Sequence, residues 1–102
     1  MTEAAVEVVR IRPKDGSHER LRTLRDQMVA EYEAQWPGKF STRLLELEDG
    51  TWLDLWTWQS RALAEDVLSR SDEELPAFAE WKTLVEPVSF DWAGDLPWGA
   101  HP

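Results

Sequence analysis

Thr51 to Gln59 reads TWLDLWTWQ. Successive side chains of a β-strand point to opposite faces, so Trp52, Asp54, Trp56 and Trp58 share one face and Leu53, Leu55 and Thr57 the other. Neither set suits a solvated face. The stretch predicts a strand covered on both sides, by helices over the tryptophans and by a second sheet over the leucines. Asp49-Gly50 just before it is a hairpin signal, which makes Phe40 to Glu48 (FSTRLLELE) its antiparallel neighbour.

Working outward, Ala4 to Arg12 (AAVEVVRIR) is rich in β-branched residues, with Val6 and Val8 on one face and Val9 and Ile11 on the other. Pro13-Lys14-Asp15-Gly16 forms a turn, and Ser17 is placed to cap a helix. Leu21, Leu24, Met28, Tyr32 and Trp36 then recur at spacings of three and four, an amphipathic stripe that Pro37-Gly38 ends. Ser60 caps a second helix through Leu63, Val67 and Leu68. Ser71 with Glu74 makes a capping-box pattern for a further stretch through Phe78, Trp81, Leu84 and Val85. Pro76 predicts a break in this helical connection. Pro87 to Trp92 (PVSFDW) alternates once more, and the Gly- and Pro-rich tail Ala93 to Pro102 is expected to be irregular and to reach across to a partner. The order is βαββαβ, an α+β ferredoxin-like sandwich occupying residues 1–102 as one domain.

Eleven Lys and Arg against twenty Asp and Glu give a net charge of -9, a field that repels phosphate backbones. The nearest approach to a basic stripe, Arg20, Arg22 and Arg25 with Arg10 and Arg12, is interrupted by Glu19 and Asp26, so it reads as a solvated helix face. No nucleic-acid partner is expected. The absence of cysteine excludes disulfides, thiolate nucleophiles and Cys-type metal sites. His18 and His101 lie too far apart for metal-ligand spacing, and no metal is expected. No apolar run approaches the roughly 18 residues of a membrane span and no signal-peptide pattern opens the chain, so a cytoplasmic protein without a membrane partner is expected. A domain this small buries a limited fraction of its surface, and pairing through the leucine face predicts a homodimer.

Seven tryptophans in 102 residues are the compositional oddity. Trp52, Trp56 and Trp58 face the helices, and Tyr32, Trp36, Phe78 and Trp81 point toward the same space. So many large rings are hard to pack without a gap, so some are expected to wall a pocket for a small aromatic or apolar ligand and others to form core. Asp54 stands among them. Desolvation there raises a carboxylate's pKa toward a range useful for proton abstraction; alternatively, Asp54 accepts a structural hydrogen bond. Arg10 on the first strand and Arg43 on the second could each pair with Asp54 or meet an acidic ligand, although pairing with neighbouring Glu at the surface is the commoner outcome.

The stretch Asp54 to Leu63 (DLWTWQSRAL) resembles the strand-to-helix junction of the antibiotic biosynthesis monooxygenase family of the dimeric α/β barrel superfamily. In that family a Trp closes the third strand, followed shortly by a Ser and a small-plus-apolar helix start, here Trp58, Ser60 and Ala62-Leu63. The resemblance implies a dimer of stacked sheets, a pocket between sheet and helices, and Asp54 and Trp58 as catalytic candidates without a cofactor. Some members oxidise polyketide-derived phenols with dioxygen, some degrade haem, and many have no known activity. The chain departs from the oxygenase pattern in carrying Asp54 where those enzymes have Asn, and Ala64 where a Tyr would fall. Leu68 stands where the haem degraders place their His.

Two readings follow, a cofactor-independent monooxygenase of aromatic polyketide-like substrates or a non-catalytic small-molecule-binding or structural dimer. A pocket with Asp54 at its wall favours the first. An Asp54 tied into a core without a cavity favours the second.

Overall fold

The computed structural model describes residues 4–94, and for 71–74 the backbone alone. Seven elements follow one another: β1 (Ala5–Pro13), α1 (His18–Gln35), β2 (Phe40–Glu46), β3 (Trp52–Trp58), α2 (Arg61–Glu74), α3 (Pro76–Leu84) and β4 (Val85–Gly94). The strands form one antiparallel sheet in the order β2-β3-β1-β4, the arrangement of a ferredoxin-like α+β fold. Ala93 and Gly94, expected in the tail, extend β4; the rest of that expectation lies outside the described residues.

Alternation along β3 is complete. Trp52, Asp54, Trp56 and Trp58 are buried toward the helices, while Leu53, Leu55 and Thr57 are half-buried on the other face. Pairing of Glu7 with Trp56 and of Val9 with Asp54 sets the inner face of β1, which also carries Ala5 and Ile11. The opposite face presents Val6, Val8, Leu53 and Leu55, and none of the described helices covers it. The β2–β3 hairpin closes with Leu47 and Thr51 bonded at 2.8 Å and Gly50 at φ +87°, a left-handed conformation that glycine adopts without strain.

Helix α1 buries Leu21, Leu24, Arg25, Met28 and Tyr32. The arginine is a correction to the expected solvated basic face, because Arg25 occupies a position of the apolar stripe. Ser17 stands at the helix start as expected, but its hydroxyl donates to the Lys14 and Leu84 carbonyls and caps nothing. Ser60 does cap α2, its Oγ accepting the Leu63 N–H at 3.1 Å. The expected helix start at Ser71 is corrected as well, since α2 runs on to Glu74 and the break falls at Leu75. Proline disfavours helical geometry in the residue before it and lacks an N–H, so Leu75 leaves the helix and Pro76 begins the next one. The Ala77 N–H at that new start donates to Glu31 Oε2 at 3.1 Å, which ties α3 to α1. Leu21, Leu24, Met28, Val67, Leu75 and Trp81 form the heart of the core with the three inward tryptophans of β3. No helix among the described residues is long and apolar enough to cross a membrane.

Candidate functional site

Between the inner face of the sheet and the helices the packing leaves a cavity of about 240 Å³. β1 supplies Glu7 and Val9, α1 Met28 and Tyr32, β3 Asp54, Trp56 and Trp58, and α3 Phe78 and Trp81. Leu68 of α2 and Phe90 of β4 complete the wall. They are 37% and 48% exposed, which places the mouth at their side. The rings meet one another in a continuous wall. Trp56 and Trp58, two residues apart on one strand face, stack with centroids 5.9 Å apart, and Tyr32 lies 4.8 Å from Trp56 and 6.3 Å from Phe78.

Six of the eight residues expected from the sequence therefore converge: Asp54, Trp58, Tyr32, Trp56, Phe78 and Trp81. Trp36 and Trp52 are buried elsewhere. Trp36 caps the end of α1 against Tyr32, with Arg70 over its ring, and Trp52, at the far end of β3, packs against His18 and Trp81.

Neither Arg10 nor Arg43 pairs with Asp54. Arg10 bonds Asp49 and Thr51 at the hairpin, and Arg43 lies exposed beside Val6, Leu55 and Thr57 on the uncovered sheet face. Arg25 takes the place, its Nη1 standing 2.6 Å from Asp54 Oδ1 with both side chains nearly out of water. The two atoms face each other without the alignment of a hydrogen bond, so the contact is an ion pair. The guanidinium also lies over the Trp56 ring at 4.8 Å and donates to Thr42 Oγ1, which in turn donates to the Leu55 carbonyl at 2.8 Å. Burial pushes the Asp54 carboxyl up from its ordinary pKa, and the Arg25 charge and Trp56 indole oppose that push.

Glu7 is the residue that the sequence reading missed. It is 5% exposed, and its Oε1 accepts the Trp58 Nε1 hydrogen at 2.5 Å. Burial raises its pKa from 4.5 to about 7 against the Trp58 hydrogen bond, with the nearby Asp54 charge adding to the rise. The space between the sheet and the helices thus holds two carboxyls, from β1 and β3, and the α1 guanidinium. Among the described residues no three potential metal ligands come together.

No family model matches the chain, and no curated protein matches it. Solved structures do. SnoaB, a cofactor-independent oxygenase from Streptomyces nogalater, superposes with a TM-score of 0.78 at 15% identity, over 98% of this chain and 100% of that one. A Chloroflexus aurantiacus protein provisionally assigned as an antibiotic biosynthesis monooxygenase gives 0.67 at 17% identity, over 97% of each chain. Rv0793 from Mycobacterium tuberculosis gives 0.69 at 21% identity, over 95% of this chain and 99% of that one. In its fold the chain is similar to SnoaB and to the antibiotic biosynthesis monooxygenase-like protein of Chloroflexus aurantiacus, a ferredoxin-like α+β arrangement shared over almost the whole chain.

Proposed function

We infer that the chain is a small-molecule-binding homodimer that oxygenates a hydroxylated, polyketide-like aromatic with dioxygen and no cofactor. One observation carries the reading: a ring-walled cavity beneath the helices holds two buried carboxyls at its wall. A cavity of roughly 150 Å³ suffices for benzene, so about 240 Å³ takes one or two fused rings, with any larger part emerging past Leu68 and Phe90. The named activity of SnoaB, which shares the fold, supports dioxygen as the co-substrate.

The chemistry needs one proton acceptor. A phenolic O–H gives its proton to a wall carboxylate, and the ring carbon that gains electron density bonds to one atom of dioxygen. The carboxyl returns the proton to the resulting peroxide. Loss of that carbon's own hydrogen with cleavage of the O–O bond then releases water and leaves a quinone, consuming one dioxygen per product. Stacked tryptophans hold the ring plane, and Trp58 lies beside both the ring and the Glu7 carboxyl. Asp54 remains a candidate for the acceptor, although Arg25 stabilises its anion and so weakens it as a base. The uncovered face with Val6, Val8, Leu53 and Leu55 supports the homodimer, in which two sheets stack.

The Asp54–Arg25 pair also favours a second reading, a non-catalytic small-molecule-binding dimer in which Asp54 is structural. Tryptophan fluorescence titration and oxygen-electrode assays with hydroxynaphthalenes and anthrones separate the two. Binding with oxygen uptake is expected. Binding with no uptake by any of them would establish the second reading, and no binding would remove both.

A further inference from the structure

We propose that Glu7 is the catalytic proton acceptor of this cavity, held in place by the Trp58 indole and acting on the hydroxyl of a phenolic ligand that enters uncharged. The assignment rests on the pocket reading above and deepens it. Glu7 stands in phase with Ala5, Val9 and Ile11 on β1 and opposite Trp56 on β3, which aims it under the helices. One carboxyl oxygen is fixed by the Trp58 N–H, while the other, Oε2, has no hydrogen-bond partner among the described residues. Because Glu7 lines the cavity, that second oxygen is the one left for a ligand. A ligand O–H donating to that oxygen completes the hydrogen bonding of the carboxyl.

Comparison with the other carboxyl favours Glu7. Asp54 is paired with the Arg25 guanidinium, whose charge opposes the upward push of burial on its carboxyl. Glu7 has no cation. The charged groups that face it are Asp54 from β3 and, behind that, Arg25 from α1; Tyr32 of α1 is the remaining titratable wall residue. α2, α3 and β4 line the cavity with Leu68, Phe78, Trp81 and Phe90, none of them ionisable. The contrast between the two carboxyls is therefore one of contact: Asp54 is tied to a guanidinium, and Glu7 keeps one oxygen for a ligand. Raising a carboxyl from 4.5 to about 7 strengthens it as a base roughly 300-fold while leaving about half of it unprotonated at neutral pH, which is the compromise a general base needs.

The test uses para-nitrophenol, whose absorbance distinguishes phenol from phenolate, with the full chain, its Glu7→Gln variant and its Asp54→Asn variant. Gln keeps an oxygen that can accept the Trp58 N–H, so the fold is expected to survive, and circular dichroism checks it. The double variant Arg25→Met/Asp54→Asn replaces Asp54→Asn if the single one misfolds. At neutral pH the bound probe is expected to show phenolate absorbance in the wild type and in the Asp54 variant, and only the neutral form in Glu7→Gln at a similar Kd. Binding without ionisation in the wild type, or ionisation that survives Glu7→Gln, overturns the assignment and leaves the pocket standing. Failure of the wild type to bind this probe and the larger phenols removes pocket and assignment together. With any aromatic that is turned over, Glu7→Gln is expected to lower kcat about 100-fold or more and to abolish the acid limb of kcat/KM near pH 7. An acid limb unchanged in Glu7→Gln overturns the proposal.

Discussion

Replacing Glu7 by Gln removes a titrating group from the interior without changing its shape, and the consequence for stability can be worked out. The native-state pKa of Glu7 is raised from 4.5 to about 7 because burial disfavours the charged carboxylate. Between those values the folded chain holds the proton more firmly than the unfolded chain, so stability falls as pH rises through the window and is flat beyond it. A shift of that size corresponds to about 3 kcal/mol, a large part of the 5–15 kcal/mol typical of a domain. Asp49 behaves oppositely. Its bonds from the Thr51 hydroxyl and backbone N–H, with Arg10 in support, lower it to about 2, so its contribution is lost only under stronger acid. Urea unfolding of wild type and Glu7→Gln at fixed protein concentration, from pH 4 to pH 8, measures the difference directly. The two proteins should be similar at pH 4, and the variant should be the more stable by about 3 kcal/mol at pH 8. Curves that stay parallel would refute the buried, uncompensated carboxyl on which the reasoning depends.

Three further perturbations follow from the same contacts. Arg25→Met strands a buried Asp54 and should cost about 3–5 kcal/mol, whereas the double variant Arg25→Met/Asp54→Asn should recover most of that loss; equal stabilities of single and double variants in urea would contradict the buried pair. Leu55→Asp places a charge at the centre of the uncovered sheet face and should convert a dimer to a monomer in sedimentation at micromolar concentration, and a wild type that is itself monomeric would remove the stacked-sheet assembly. Ser60→Ala deletes the hydroxyl that caps α2 and should lower stability by about 1 kcal/mol, read from the urea midpoint at constant m-value.

Much of the fold was legible because apolar residues repeat with the period of their element. The alternation in β3 separated its two faces, and Pro76 marked where the helical connection breaks. The charged half of the site was hidden by the same logic. Arg25 falls four residues after Leu21 and three before Met28, and Glu7 falls two residues from Ala5 and from Val9, so both stand in the apolar phase of their elements. Residue type assigned Arg25 to solvent and drew no notice to Glu7, while phase placed both inside. An ionisable residue in phase with a buried stripe was the available signal. Their partners were not readable, because the spacing from Glu7 to Trp58 or from Arg25 to Asp54 has no local rule and is fixed only when β1 pairs with β3 beneath α1. Trp36 and Trp52 show the converse, since their residue type suggested pocket wall and their places at the ends of α1 and β3 put them in the surrounding core.

The reading of this cavity as an oxygenase site is tested most directly by oxygen consumption with a one- or two-ring hydroxylated aromatic, on wild type and on Val9→Phe. Val9 lines the wall without touching the carboxyl chemistry, and a phenyl group there fills the space that a substrate ring would occupy. The expected result is one dioxygen consumed per quinone formed by the wild type without added cofactor, and loss of that uptake in Val9→Phe with the fold intact. Uptake that is unchanged by filling the cavity would contradict a reaction inside it, and no uptake with any phenol that binds would contradict the oxygenase itself.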